Sequence, residues 1–170
     1  ISEYGVTESD AGILVADQKT AEYFEEVASG RDGKLAANWV IHELFGVLNK
    51  VGKGISDSPI VADKLGNLTD LISNNVISSR IAKDVFAEMV AKGKDPGVIV
   101  EEKGLKQITD AGEIEIAVNN VIADNVDQVK KFREGNEKLV GWFVGQVMKK
   151  TQGKANPQMV NELLLQKLKS

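Results

Sequence analysis

Residues 141–164, GWFVGQVMKKTQGKANPQMVNELL, contain two helical patterns and the turn that separates them. Apolar side chains recur three and four residues apart on both sides of the turn, as in amphipathic helices. The turn is basic, with the sequence Lys-Lys-Thr-Gln-Gly-Lys, and Asn156-Pro157 then supplies a capping side chain and a proline at the first helical position. The stretch therefore predicts two helices joined by a basic turn, with the upstream chain as helical scaffold.

The rest of the chain carries the same helix signals. Ser58-Pro59 and Asp95-Pro96 repeat the pattern of Asn156-Pro157, so all three prolines are predicted to begin helices. No alternating apolar and polar run predicts a strand, and the segment 105–108 is interpreted as a linker because it follows a glycine stop. The predicted helices cover 7–16, 17–28, 34–50, 58–75, 79–93, 96–103, a segment starting at 110, 126–133, 137–151 and 157–168.

These helices predict an all-α fold made of two small helical domains. Residues 1–107 are expected to form a helical bundle, and residues 108–170 a tail domain of three to four helices. The 170 residues, 42% of them hydrophobic, suffice for two small cores. Because the chain starts with Ile1 rather than Met, we expect it to be part of a longer protein.

Charge is distributed unevenly along the chain. The net charge is −4, but from Gln128 onward nine Lys and Arg stand against three Glu, a local charge of +6. The remainder must therefore carry −10. An acidic body with a basic end is typical of proteins whose basic end binds an anionic partner.

The residues needed for common catalytic sites are sparse. The sequence has no cysteine and a single histidine, His42, which lies in a predicted helix without a second histidine as a ligand partner. No phosphate-binding loop, dinucleotide fingerprint or nucleophile motif is present. We expect neither catalytic nor metal-binding residues, no cofactor bound by this stretch, and no membrane segment, since no apolar run approaches about 18 residues.

The helix of residues 137–151 has one strongly polar side. Trp142, Gln146 and Lys149 lie three or four positions apart, which places an indole, an amide and an ammonium group together and suits an RNA backbone and its bases. Alternatively, Trp142 belongs to the core and the lysines form a solvated face. The Gly141 and Gly145 pair indicates close approach of a neighbouring helix or of a ligand, because glycine destabilises a helix by about 1 kcal/mol relative to alanine.

The helix start at Asn156 is a second candidate anion site, since free N–H groups there attract phosphate; capping alone would also explain Asn156. Gln158 and Asn161 lie in the following turns, away from the apolar stripe. The candidate RNA-binding residues, chosen by helix face and charge, are Lys130, Lys131, Arg133, Trp142, Gln146, Lys149, Lys150, Lys154, Asn156, Gln158 and Asn161.

Several stretches together resemble a known family. The segment GWFVGQVMKKTQGKANPQMVNELL, with YGVTESDAGILVADQKTAEYFEEV, SSRIAKDVFAEMV and IVEEKGLKQITD upstream, is similar to the GatB subunit of the tRNA-dependent aspartyl/glutamyl amidotransferases, the GatB/YqeY family. The resemblance covers essentially the whole chain. Residues 145–149 and 153–157 match the family motif closely, and Lys150 is a departure from it that keeps the charge.

The resemblance implies a role in making Gln-tRNA(Gln) or Asn-tRNA(Asn). In that family, GatB uses ATP and Mg²⁺ to activate the misacylated residue on tRNA in an N-terminal domain without counterpart here, and GatA supplies ammonia from glutamine. The tail domain contacts the outer corner of the tRNA. The expected partners are tRNA(Gln) or tRNA(Asn) and the GatA and GatC subunits, in a bacterial cytoplasm, and the chain alone is not expected to be an enzyme. The alternative is a protein-docking helical module.

Overall fold

The computed structural model describes residues 3–169, and over this range the protein is all-α, as predicted. One isolated parallel bridge, between Ile108 and Ala155, is the extended pairing found among these residues. The chain divides into two compact units after Gly104. Across the described range, no helix combines the length and apolarity needed to span a membrane.

The first unit contains seven α-helices, numbered in chain order, and two shorter helical segments of other types. A π-helical segment, Trp39–Leu44, joins α3 to α4, and a 3₁₀ turn, Ile55–Asp57, follows α4. The α-helices are α1 (Glu8–Leu14), α2 (Gln18–Ala28), α3 (Gly33–Asn38), α4 (Phe45–Lys50), α5 (Ala62–Ser73), α6 (Ser79–Lys92) and α7 (Pro96–Lys103).

Most helix ends of the first unit follow the capping rules. The carboxylate of Asp95 accepts a hydrogen bond from the Gly97 N–H at 2.8 Å, and Pro96 occupies the first turn of α7 as predicted. Gly93 and Gly104 end α6 and α7 in the left-handed conformation, which glycine adopts without steric cost. The core is largely aliphatic, and Trp39 packs against Phe86 with ring centroids 5.7 Å apart.

The prediction that Pro59 begins a helix is wrong. The Ser58 hydroxyl bonds both the carbonyl and the N–H of Ile60, which holds the chain in a local turn. The Ile60 carbonyl also accepts a hydrogen bond from the Tyr23 hydroxyl at 2.7 Å, and α5 begins only at Ala62. Burial raises the pKa of Tyr23 to about 12, so this hydroxyl remains a donor at neutral pH.

The guanidinium of Arg31 is held over a glycine of α5. Its Nε donates to Asp70 Oδ2 at 2.8 Å, and its other nitrogens lie 3.4 Å from the Val27 carbonyl and from Asn67 Oδ1. A Cβ atom added at Gly66 would lie 2.6 Å from the Arg31 Nη1. The glycine therefore makes room for the ion pair.

We expect Gly66→Ala to lower the free energy of unfolding of the first unit by about 1–3 kcal/mol, the usual range for overpacking. The methyl group would displace Arg31 from Asp70, and this loss outweighs the helical preference of alanine. Chemical denaturation followed by circular dichroism measures the effect. Gly46→Ala is the matched control, because a Cβ at this helical position meets nothing within 4 Å and should stabilise slightly. Equal stabilisation by both variants would contradict the interpretation.

The second unit consists of four helices around its own core. They are α8 (Ala111–Asp124), α9 (Val126–Arg133), α10 (Leu139–Lys150) and α11 (Pro157–Lys169). Phe143 and Val147 of α10 are fully buried among aliphatic side chains of α8 and α11, including Ile114, Val118 and Leu164. Asp110 caps α8 by accepting from the Glu113 N–H at 2.9 Å, as its sequence pattern predicts.

The segment interpreted as a linker is partly built into the second unit. The Ile108 N–H donates to the Lys154 carbonyl at 2.7 Å, and the Asn156 N–H donates to the Ile108 carbonyl at 3.1 Å. These bonds join the residues before α8 to the turn after α10. The boundary between the units consequently falls a few residues before the predicted 107/108 division.

Candidate nucleic-acid interface

The outer face of α10 presents an indole to solvent. Trp142 is 38% exposed, and its ring meets the buried ring of Phe143 edge-on at 5.1 Å between centroids. The core alternative for Trp142 therefore does not hold within this unit. An aromatic side chain that is anchored on one edge and open on the other offers a stacking surface at little entropic cost.

Gly141 and Gly145 lie on the same outer side of α10. A Cβ atom added at either position would meet no atom within 4 Å among the described residues, and both glycines are exposed. Close packing against another helix of this unit is therefore not the reason for these glycines. They leave the backbone of α10 open beside Trp142.

Two clefts of about 320 to 370 Å³ lie beside the C-terminal half of α10. The first, which we call the α8–α10 cleft, holds Gln146, Lys149 and Lys150 together with side chains from the end of α8. Lys150 Nζ donates to Asp124 Oδ2 at 3.0 Å, so part of its charge is compensated within the chain. The α8 end of this cleft consists of Val121, Asp124 and Asn125.

The second cleft, which we call the bridge cleft, lies between the start of α8 and the turn after α10. Lys150 borders both clefts, and Lys154 lines only the bridge cleft. The residues of the bridge cleft that concern its chemistry are Ile108, Glu113, Ile116, Ala117, Asn120, Lys150, Gln152 and Lys154.

The candidates at the start of α11 are partly engaged within the chain. The side-chain oxygen of Asn156 accepts hydrogen bonds from the N–H groups of Gln158 and Met159, at 3.0 and 3.1 Å. Gln158 donates to Glu162 at 3.1 Å, while Asn161 is half-buried. The structure thus assigns Asn156 a capping function through its oxygen, and none of these side chains lines either cleft.

The basic residues of α9 form a separate group. Lys130, Lys131 and Arg133 are exposed in its last turn, while Phe132 points into the core. Arg133 Nε donates to the Leu168 carbonyl at 3.1 Å, which ties α9 to the end of α11. The structure does not bring these cations into the two clefts beside α10.

Sequence reasoning missed the α8 side of both clefts. Asn120, Asp124 and Asn125 look like ordinary polar positions on a helix surface, and no local signal marks them. They become relevant because α8 packs against α10 and α11, which brings its polar side next to the lysines of α10. Only tertiary packing supplies this juxtaposition.

The two units differ in charge. From Leu105 onward the chain has 10 Lys and Arg against 8 Asp and Glu, a net charge of +2. The first unit has 11 against 17, a net charge of −6. The basic unit is therefore also the one with the exposed indole and the lysine-lined clefts.

Comparison with known proteins identifies the family. A family model described as GatB domain matches residues 22–168. The chain is 58% identical over 168 residues to the GatB subunit of the aspartyl/glutamyl-tRNA(Asn/Gln) amidotransferase of Rhodospirillum rubrum, which covers 99% of the chain and 35% of that protein. It is 56% identical to the same subunit of Roseobacter denitrificans, over 98% of the chain and 33% of the relative.

The chain thus spans about a third of the length of the curated relatives that it matches. The family match, in contrast, extends through most of the chain and includes the four helices of the second unit and both clefts. The all-α fold, the motif around Gly145 and Gly153, and this match agree. The chain belongs to the GatB domain family and corresponds to the C-terminal part of a GatB subunit of the tRNA-dependent amidotransferases.

Proposed function

We propose that this chain is the tRNA-binding C-terminal region of an amidotransferase GatB subunit. The observation that carries the proposal is the outer side of α10, where Trp142 and Lys149 stand beside two open glycines and next to two clefts bordered by lysines. RNA phosphates attract such cations, and exposed bases stack on aromatic rings. The chain then positions tRNA, while the chemistry belongs to the complete enzyme.

The complete enzyme, in this proposal, converts Glu-tRNA(Gln) or Asp-tRNA(Asn) to Gln-tRNA(Gln) or Asn-tRNA(Asn) in a bacterial cytoplasm. Its ammonia comes from glutamine on GatA, and GatC completes the assembly. Between residues 3 and 169, no three His, Cys, Asp or Glu side chains cluster in a way that suits a metal ion. We therefore assign the ATP and Mg²⁺ of the activation step to a part of the longer subunit that this chain does not cover.

Salt dependence of tRNA binding tests the proposal. If about four cations contact phosphates, the slope of log affinity against log salt should be near −3, at roughly 0.7–0.9 per contact. Filter binding or fluorescence anisotropy at several salt concentrations, with tRNA(Gln), tRNA(Asn) and a non-cognate tRNA, gives this slope. Affinity that does not change with salt would contradict a phosphate-based interface.

The open glycines of α10 provide a second test. We expect Gly141→Ala and Gly145→Ala each to stabilise the second unit by up to about 1 kcal/mol, because the helix gains and no atom obstructs the new methyl group. If RNA approaches the helix backbone here, the same variants weaken tRNA binding. Thermal unfolding and anisotropy on the same samples separate the two effects. Stabilised variants with unchanged tRNA affinity would place the RNA elsewhere.

A second candidate function is docking of other amidotransferase subunits by the first unit. This unit carries the acidic charge and exposes the apolar side chains Val15, Val51 and Val61, each at least 60% accessible. Pull-down of the chain by the GatA and GatC subunits in the absence of tRNA tests docking. Loss of capture when these valines are changed to serine would support it, and unaltered capture would refute this surface.

A further inference from the structure

We propose that the bridge cleft takes one unpaired nucleobase of the bound RNA. The inference rests on the proposed function and adds to it, because it assigns a base-binding site to a cleft whose α8 side carries no sequence motif. The volume, about 320 Å³, lies at the lower end of the range of about 300–1,000 Å³ for ligand pockets. That size suits a single base rather than a stretch of RNA.

The walls of the bridge cleft are held by hydrogen bonds. The pairing of Ile108 with Lys154 and Asn156 fixes the side nearest α11. On the turn itself, the Thr151 hydroxyl donates to the Val147 carbonyl at 2.9 Å and accepts from the Ala155 N–H at 3.4 Å. A site supported in this way keeps its geometry before the ligand arrives, which favours recognition.

Gln152 is the unusual residue of this turn. It occupies the position after the helix end where glycine or asparagine is preferred, with φ at +54°, and Gly153 follows at +77°. A residue other than glycine is strained in this conformation, and such outliers are concentrated at functional sites. Gln152 lines the cleft, so we infer that its side-chain amide has a function there that glycine would not fulfil.

The lining has the chemistry of a base site. Ile108, Ile116 and Ala117 supply aliphatic surface for the face of a base, and Ile116 is 63% exposed without a ligand. The amides of Asn120 and Gln152 each offer a donor and an acceptor, which matches the mixed edge of a nucleobase. Unpaired bases in loops and bulges are the usual targets of sequence-specific RNA recognition.

The charges of the cleft argue for a base rather than a bare phosphate. Lys150 and Lys154 border it, while Glu113 contributes a carboxylate to the same lining. A carboxylate repels phosphate oxygens but accepts hydrogen bonds from the amino and imino groups of bases. The lysines can then contact the phosphates that flank the base.

Two neighbouring asparagines of α8 allow a matched test. Asn119 and Asn120 are both exposed, but only Asn120 lines the cleft. We expect Asn120→Ala to weaken tRNA binding by roughly two- to tenfold, the range for one lost hydrogen bond, and Asn119→Ala to leave it unchanged. Equal effects of the two variants would overturn the proposal.

Gln152→Gly separates function from folding. Glycine relieves the strained φ, so the melting temperature of the second unit should rise, while tRNA affinity should fall because the amide is lost. A rise in melting temperature with unchanged affinity would overturn the proposal. This variant cannot lose binding through unfolding if its melting temperature increases.

Titration of the ¹⁵N-labelled chain with nucleoside monophosphates and, separately, with inorganic phosphate completes the experiment. We expect the backbone amides of Ile116, Asn120 and Gln152 to shift with the nucleotides and not with phosphate. Equal shifts with phosphate would show an anion site, and no shifts at millimolar nucleotide would show no base site; either result overturns the proposal. If tRNA still binds with a steep salt dependence in those cases, the proposed function stands without it.

Discussion

Substitution Phe143→Ala is expected to unfold the second unit while the first remains helical. Phe143 is fully buried at the centre of the core of α8, α10 and α11. Removal of a buried phenylalanine costs about 3–5 kcal/mol, and a domain of this size is stable by only about 3–10 kcal/mol. Circular dichroism should show partial loss of helix at 25 °C, and NMR should show dispersed signals only for residues before Leu105.

The adjacent Trp142→Ala variant is the control for this experiment. Trp142 is partly exposed and makes an edge contact with Phe143, so its removal should lower the melting temperature only slightly. It should nevertheless weaken tRNA binding, by roughly 1–3 kcal/mol if a base stacks on the indole. A single cooperative loss of both units in Phe143→Ala would contradict their independence.

The triple variant Lys149→Ala, Lys150→Ala, Lys154→Ala is expected to lose most of the salt-dependent tRNA affinity. Each lost phosphate contact should make the salt slope shallower by about 0.7–0.9. Lys150 should contribute least, because Asp124 compensates part of its charge at 3.0 Å. Anisotropy titrations at several salt concentrations, with circular dichroism to confirm folding, measure both quantities.

A variant with the same change in net charge provides the comparison. Lys19, Lys50 and Lys53 are exposed lysines of the first unit, and their joint replacement by alanine also removes three positive charges. If this control lowers affinity and slope as much as the triple variant does, binding depends on overall charge. The lysines beside α10 would then have no particular role.

Helix limits could be predicted from the sequence wherever local chemistry decides them. The limits of α7 and α9 agree with the prediction, and the starts of α7 and α11 follow from an Asx cap with proline in the first turn. Pro59 carries the same signal but does not begin a helix. There the Ser58 hydroxyl bonds Ile60, and the Ile60 carbonyl accepts from Tyr23, a residue that is distant in sequence.

Features that depend on distant contacts lay beyond prediction. The π-helical segment Trp39–Leu44 interrupts what the sequence indicates as one regular helix, and no residue in it announces the change. In the candidate site, the exposed face of α10 was predicted from spacing. The clefts were not, because Asn120 and Asp124 approach the lysines only through packing of α8 on α10.

The bridge between Ile108 and Ala155 sets an order for folding during synthesis. All helices of the first unit have been made once Gly104 has left the ribosome, so this unit can fold early. The second unit cannot close until Ala155 and the core residues of α11 have also emerged, because its first segment pairs with the turn that precedes α11. A nascent chain stalled shortly before Ala155 would therefore present a finished bundle followed by an open, protease-sensitive tail.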